Sequence, residues 1–133
     1  MSQLLFYSVS AAARAQLGLA IARHLDPTVE VWAAGARPTH VRPQVRAVLA
    51  EEGIRADGLL ARPLVAVPVE QMDLIITLAP EAPRLEVAPH TREVTWFIPD
   101  PASAPSDEAL EAYRAARDEL LRRLPRVLRE LAH

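Results

Sequence analysis

Apolar runs alternate with segments of helical periodicity along most of the chain. A first run ends at Ser8, and over residues 11–25 apolar side chains recur at the spacing of one helix face. Asp26-Pro27 ends this helix, because the residue before a proline is displaced from the helical conformation. A second helix is predicted over residues 42–52, with Gly53 at its C-terminal end. Four strands are predicted, at Gln3–Ser8 and at residues 29–33, 73–78 and 94–98.

The C-terminal part of the chain is predicted to be one long helix. It starts at Ser106, a favourable N-cap residue. Pro125 lies inside it and is expected to kink or split it, because proline lacks the N–H that an interior helical residue donates. Residues 59–69 carry two prolines and give no regular pattern.

Strands that alternate with helices predict an α/β domain with a parallel or mostly parallel sheet. We expect a single domain over residues 1–133, a three-layer sandwich around a central parallel four-stranded sheet. In such sheets ligands bind beyond the carboxyl ends of the strands. The Ser8–Arg14 loop and the loop at residues 99–102 both leave such ends, so they are candidates to share one site.

Composition narrows the possible functions. Half of the 133 residues are hydrophobic, the net charge is −2, and acidic and basic residues are interspersed, so neither nucleic acid nor an anionic membrane is expected as a partner. The N-terminus lacks the basic segment of a signal peptide, and we expect a cytoplasmic protein. The histidine spacing offers no metal-ligand pattern, and no cofactor is predicted. The chain contains no cysteine, which excludes disulfides and thiolate chemistry together.

Several segments together resemble the low-molecular-weight protein tyrosine phosphatases, and most closely their thioredoxin-coupled arsenate reductase branch. LLFYSVSAAARAQLGLAIARHL is similar to the family's first strand, Cys-x5-Arg loop and first helix. VEVWAAGARPTHVRPQVRAVLAEEGI, MDLIITL, WFIPDPA and AYRAARDELLRRL resemble later segments in the same order. The resemblance covers nearly the whole chain and implies the phosphatase-like α/β fold.

The resemblance also assigns roles to positions in this chain. Ser8 stands where the family has its nucleophilic cysteine, Arg14 where the loop arginine binds the oxyanion, and Asp100 where an aspartate acts as general acid. The family's loop glycine and asparagine are replaced by Ser10 and Ala11, which adopt positive φ angles less readily. The implied anion-binding set is Ser10, Ala11, Ala12, Ala13 and Arg14.

The missing thiols exclude arsenate reduction and cysteine-dependent phosphatase chemistry. We therefore expect a catalytically inactive member that binds phosphate, arsenate or a phosphorylated ligand at the Ser8–Arg14 loop. One alternative is an interaction module whose site has closed, in which Ser10 simply caps a helix beginning at Ala11. Another is a residual phosphate-ester hydrolase that uses Ser8 or water with Asp100. Arg37 either lines the site or belongs to a surface loop.

Overall fold

A computed structural model describes residues 2–132 of the chain. Within this range the structure has one sheet and three α-helices. The strands are β1 (Gln3–Ser8), β2 (Glu30–Gly35), β3 (Arg62–Pro63), β4 (Leu74–Thr77) and β5 (Arg92–Thr95), and the helices are α1 (Arg14–Leu25), α2 (Pro43–Glu51) and α3 (Ala109–Leu131). Short 3-10 turns lie at Leu64–Ala66, Val69–Gln71 and Pro101–Ser103. No helix in this part of the chain is long and apolar enough to cross a membrane.

The strand order in the sheet is β3-β2-β1-β4-β5, and every neighbouring pair is parallel. The predicted α/β fold with a parallel sheet is confirmed, with five strands rather than four. The additional strand is the two-residue β3, which forms an edge of the sheet where prolines hid any strand pattern. Strand β1 is central: Ser8 lies opposite Gly35 of β2, and Tyr7 lies opposite Thr77 of β4. The loop after β1 therefore leaves the middle of the sheet edge.

The two faces of the sheet are covered differently. One face, with Leu4, Phe6 and Ile76, packs in a large core with the apolar faces of all three α-helices. The other face, with Leu5 and Tyr7, packs against residues from the 3-10 turns and irregular segments over residues 64–87. The three layers are thus helices, sheet, and a layer of turns and loops. Apolar residues are buried on both faces, as a parallel sheet requires.

Several element boundaries differ from the prediction. Helix α3 begins at Ala109 rather than Ser106, because the Glu108 N–H closes a turn onto the Pro105 carbonyl at 2.9 Å. Pro125 does not split α3, which continues to Leu131 and buries Leu124 and Leu128 on either side of the proline. Core packing of these residues outweighs the lost hydrogen bond. The last strand is β5, two residues earlier than the predicted 94–98 segment.

Candidate functional site

The segment between β1 and α1 is a loop and not the first turn of a helix. Ala11 has a φ of +52°, in the left-handed region that alanine rarely adopts. Helix α1 begins only at Arg14, and its N-cap residue Ala13 makes no side-chain capping bond. The interpretation in which Ser10 caps a helix beginning at Ala11 is therefore wrong. The backbone conformation of residues 9–13 is that of a separate loop, which we call the anion loop.

The carbonyl groups of the anion loop all bond to neighbouring segments. The carbonyls of Val9, Ser10 and Ala12 accept hydrogen bonds from the backbone N–H groups of Arg37, Thr39 and Arg42 at 2.8, 3.0 and 3.0 Å, respectively. The Ala13 carbonyl accepts from Leu17 at 3.0 Å, and that of Ala11 accepts from the Gln16 side chain at 2.8 Å. These bonds fix the loop by its carbonyl side.

Among the N–H groups from Ser10 to Arg14, that of Ala11 alone has an acceptor in the described part of the chain. Ser8 Oγ accepts the Ala11 N–H at 3.1 Å. The N–H groups of Ser10, Ala12, Ala13 and Arg14 have no acceptor among residues 2–132. Ala12, Ala13 and Arg14 are buried, with at most 6 % of their surface exposed. Consecutive unpaired N–H groups in a turn that contains a left-handed residue, followed by a helix N-terminus, form a concavity suited to an anion.

Arg14 lies beside these N–H groups and is held by backbone and carboxylate oxygens. Its Nη1 donates to the carbonyls of Leu78 and Ile98, at 2.9 and 3.0 Å. Its Nη2 lies 3.3 Å from a Glu81 carboxylate oxygen and 3.9 Å from Asp100 Oδ2. The loops that follow β4 and β5 thus converge on the first residue of α1. Arg14 and Asp100, predicted to share one site, are brought together.

Asp100 also caps its own loop. Its Oδ1 accepts the Ala102 N–H at 3.0 Å, and Oδ2 accepts the Ser103 hydroxyl at 3.4 Å, at the start of the 3-10 turn Pro101–Ser103. The Asp100 carboxylate therefore stabilises the turn in which it lies. The carboxylate still faces the cleft, because it is one of the groups that line it.

Ser8 is buried, and its Oγ bonds only to the Ala11 N–H. No histidine or carboxylate within residues 2–132 is hydrogen-bonded to this hydroxyl, so nothing activates it as a nucleophile. The same part of the chain holds no group of three or more His, Asp or Glu side chains that is suited to a metal ion.

The converging loops line an open cleft of about 760 Å³. Its lining consists of Val9, Ser10, Arg14, Ala36, Arg37, Glu81, Pro83 and Asp100. Sequence reasoning missed Glu81, which follows β4 in a proline-rich loop, although loops at the carboxyl ends of parallel strands are where ligand-binding residues gather. Arg37 is exposed and also lines the cleft, so it belongs to a surface loop and to the candidate site at once.

Electrostatics in the cleft are close to balanced. Two guanidinium groups, of Arg14 and Arg37, face two carboxylates, of Glu81 and Asp100. Glu81 accepts a hydrogen bond from its own backbone N–H, and this bond, together with the Arg14 guanidinium, lowers the pKa of its carboxyl group below the usual value. Glu81 is therefore ionised at neutral pH, and it occupies one side of the arginine that an anionic ligand would use.

Comparison with known proteins supports the same fold over the whole domain. An arsenate reductase in its phosphate-binding state is similar, with 22% sequence identity, a TM-score of 0.83 and coverage of 98% of this chain and 99% of that chain. A YwlE mutant from Bacillus subtilis has 16% identity and a TM-score of 0.82, with both chains covered completely. The YwlE arginine phosphatase from Geobacillus stearothermophilus has 23% identity and a TM-score of 0.78, covering 99% and 94% of the two chains. At these identities the structural likeness establishes the fold alone.

The family assignment comes from the sequence. No functionally characterised protein sequence matches the chain. A family model for the low molecular weight phosphotyrosine protein phosphatases, however, matches residues 3–133, which is nearly the entire chain. The matched range includes the anion loop, Arg14 and Asp100. The chain belongs to the low molecular weight phosphotyrosine protein phosphatase family.

Proposed function

We propose that this protein binds an oxyanion in the anion loop and does not carry out the thiolate chemistry expected of the family. The ligand is phosphate, arsenate or the phosphoryl group of a phosphorylated molecule. The loss of catalysis follows from composition, because the chain has no cysteine to attack phosphorus or to be oxidised. Ser8 does not substitute for it, since no base among residues 2–132 is hydrogen-bonded to its hydroxyl.

The observation that carries the proposal is the set of free N–H groups in the anion loop. Ser10, Ala12, Ala13 and Arg14 each have an N–H group without an acceptor among residues 2–132. A tetrahedral oxyanion presents several acceptor oxygens at once, and it can accept from these N–H groups without any rearrangement of the loop's bonded carbonyls.

The closed-site alternative has a specific observation in its favour. Glu81 and Asp100 already lie near Arg14, at 3.3 and 3.9 Å, and act as internal anions. Glu81 is largely exposed, with 61 % of its side-chain surface accessible, so the pair with Arg14 is weak and salt-sensitive. We therefore favour a cleft in which an external oxyanion displaces Glu81 over a site that Glu81 closes permanently.

The proposal is tested by calorimetric titration of the protein with inorganic phosphate in a phosphate-free buffer, together with melting temperatures. We expect saturable one-site binding and a melting temperature that rises with phosphate concentration; stabilisation of about 2.7 kcal/mol is expected at 100 times the Kd. Arg14→Ala should abolish binding. Arg14→Lys, which keeps the charge but loses the planar fork, should weaken it. The melting temperature of each variant without phosphate shows whether it is folded.

The matched control is Arg126→Ala, which removes the same charge from an exposed position on α3. It should bind phosphate as the unmodified protein does. Absence of binding up to millimolar phosphate would overturn the proposal and favour the closed site. Turnover of an aryl phosphate that disappears in Asp100→Ala would instead support the residual hydrolase.

A further inference from the structure

Ala11 occupies a conformation that its own side chain disfavours. Its φ of +52° brings Cβ close to the backbone, and the family's asparagine at this position would tolerate that geometry better. The residue is also fully buried, so solvent contributes nothing to holding it. Some other group must therefore keep Ala11 in the left-handed region, and with it the direction of the neighbouring N–H groups.

Gln16 is bonded directly to Ala11. It lies in the first turn of α1 and has no exposed surface. Its Nε2 donates to the carbonyl of Ala11 at 2.8 Å and to the carbonyl of Leu60 at 2.9 Å. Both amide hydrogens are thus used on backbone carbonyls, and the anion loop is tied to the segment before β3.

The amide oxygen of Gln16, Oε1, makes no such contact: it is buried without a hydrogen-bond partner among residues 2–132. An apolar side chain of similar length would fill this space without leaving a buried oxygen unpaired. What only an amide supplies here is the pair of N–H donors. The polar residue is therefore explained by the carbonyls it holds and not by filling the core.

Ser8 and Gln16 restrain Ala11 from opposite sides of its backbone. Ser8 Oγ accepts the Ala11 N–H at 3.1 Å, and Gln16 donates to the Ala11 carbonyl. Rotation of φ into the ordinary negative range would move both groups away from their partners. We propose that Gln16 is the positioning residue of the anion loop, holding Ala11 in the left-handed conformation that leaves the loop N–H groups available to an oxyanion. This inference rests on the proposed function.

The test first removes the Gln16 N–H donors and then replaces Ala11 by a residue that adopts a positive φ without their help. Gln16→Met keeps the length of the side chain but has no N–H group to donate. We expect its Kd for inorganic phosphate to rise about fivefold, the change that follows if the displaced loop loses one hydrogen bond to the anion. Adding Ala11→Gly should restore most of this affinity, because glycine adopts a positive φ without steric cost. Rescue at position 11 would not occur if Gln16 only filled the core.

The matched control is Gln71→Met, the same chemical change at an exposed residue, which should leave the Kd unchanged. If the unmodified protein and Gln16→Met bind phosphate equally, the positioning role is wrong while the proposed function stands. If the unmodified protein binds no phosphate, the proposed function fails. The double-mutant cycle then decides the inference; it consists of the unmodified protein, Gln16→Met, Ala11→Gly and the double variant. If the changes in melting temperature of the two single variants do not add up to that of the double variant, the restraint is supported, and simple additivity overturns it.

Discussion

Gly35 provides a direct test of how the anion loop is supported. It is the last residue of β2 and lies under the loop, opposite Ser8. A Cβ added there would lie 2.7 Å from the Val9 carbonyl oxygen and 2.9 Å from the Ala11 nitrogen, both backbone atoms of the loop region. Ordinary contact begins at 3.4 Å, so the first of these contacts is 3.4 − 2.7 = 0.7 Å too short. Gly35→Ala therefore forces the loop itself to move.

The size of the effect follows from two opposing contributions. Overpacking against backbone costs about 2 kcal/mol. Restricting the unfolded chain returns about 0.5 kcal/mol, which leaves a net loss of about 1.5 kcal/mol in the free energy of unfolding. If the displaced loop loses one hydrogen bond of about 1 kcal/mol to the anion, the Kd for phosphate rises about fivefold.

Gly53→Ala is the matched control. Gly53 follows α2 with a φ of +66°, and an added Cβ would meet nothing within 4 Å. This substitution costs about 1 kcal/mol through backbone strain alone, and it should leave the affinity for phosphate unchanged. Urea unfolding and calorimetry measure the two quantities for both variants. The reasoning is refuted if Gly35→Ala retains both its stability and its affinity, or if the two variants lose affinity equally.

Two further predictions concern carboxylates. Glu81→Gln removes the internal anion beside Arg14 at nearly constant size, so calorimetry should show phosphate binding roughly twofold to fivefold tighter, and weaker binding would contradict the competition. Glu51 joins α2 to α3, where hydrogen bonds from Arg114 and then Arg117 lower its pKa from 4.5 to about 2. A carboxylate with a depressed pKa stabilises the fold at pH values above its unfolded pKa. At pH 7 the melting temperature of Glu51→Gln should therefore lie below that of the unmodified protein. The two melting temperatures should converge as the pH falls from about 4.5 to about 2. A difference that persists unchanged at pH 2 would contradict this assignment.

Most of the fold can be predicted from the sequence, because its apolar runs and helical periodicity are local patterns that recur along the chain. The apolar runs ending at Ser8 and starting near Leu74 are too long and too rich in β-branched or aromatic residues for loops, and they form the central strands. The sequence does not predict the two-residue β3, because a pair of residues has no periodicity and Pro63 lacks the N–H group that a strand residue donates. Such an edge strand forms because it pairs with its neighbour β2, and not because of the preferences of its own residues.

The anion loop is where local sequence rules misled. Three alanines before Arg14 favour a helix by propensity, and a helix beginning at Ala11 was a reasonable expectation. The structure instead places Ala11 at positive φ, since hydrogen bonds from residues 36–42 and from Gln16 hold the loop carbonyls outward. These partners are distant in sequence or have no recognisable motif, so propensity alone could not reveal them. The approach of Arg14 and Asp100 followed from the strand ends, but the position of Glu81 required the folded chain.

The replacement of the family's nucleophilic cysteine by Ser8 removes the thiolate chemistry but leaves the binding groups of the proposed site in place. A nucleophilic cysteine acts as a thiolate, and its negative charge opposes an incoming oxyanion: two like charges about 4 Å apart repel by about 4 kcal/mol at an effective dielectric constant of 20. The Ser8 hydroxyl is neutral at pH 7 and accepts the Ala11 N–H, which helps to hold the loop in place. Reaction at phosphorus needs an activated nucleophile at position 8, whereas the proposed binding needs only the unpaired N–H groups and Arg14. The two requirements are separable: this chain has no cysteine, but it keeps Arg14 and the unpaired N–H groups on which the proposed binding rests.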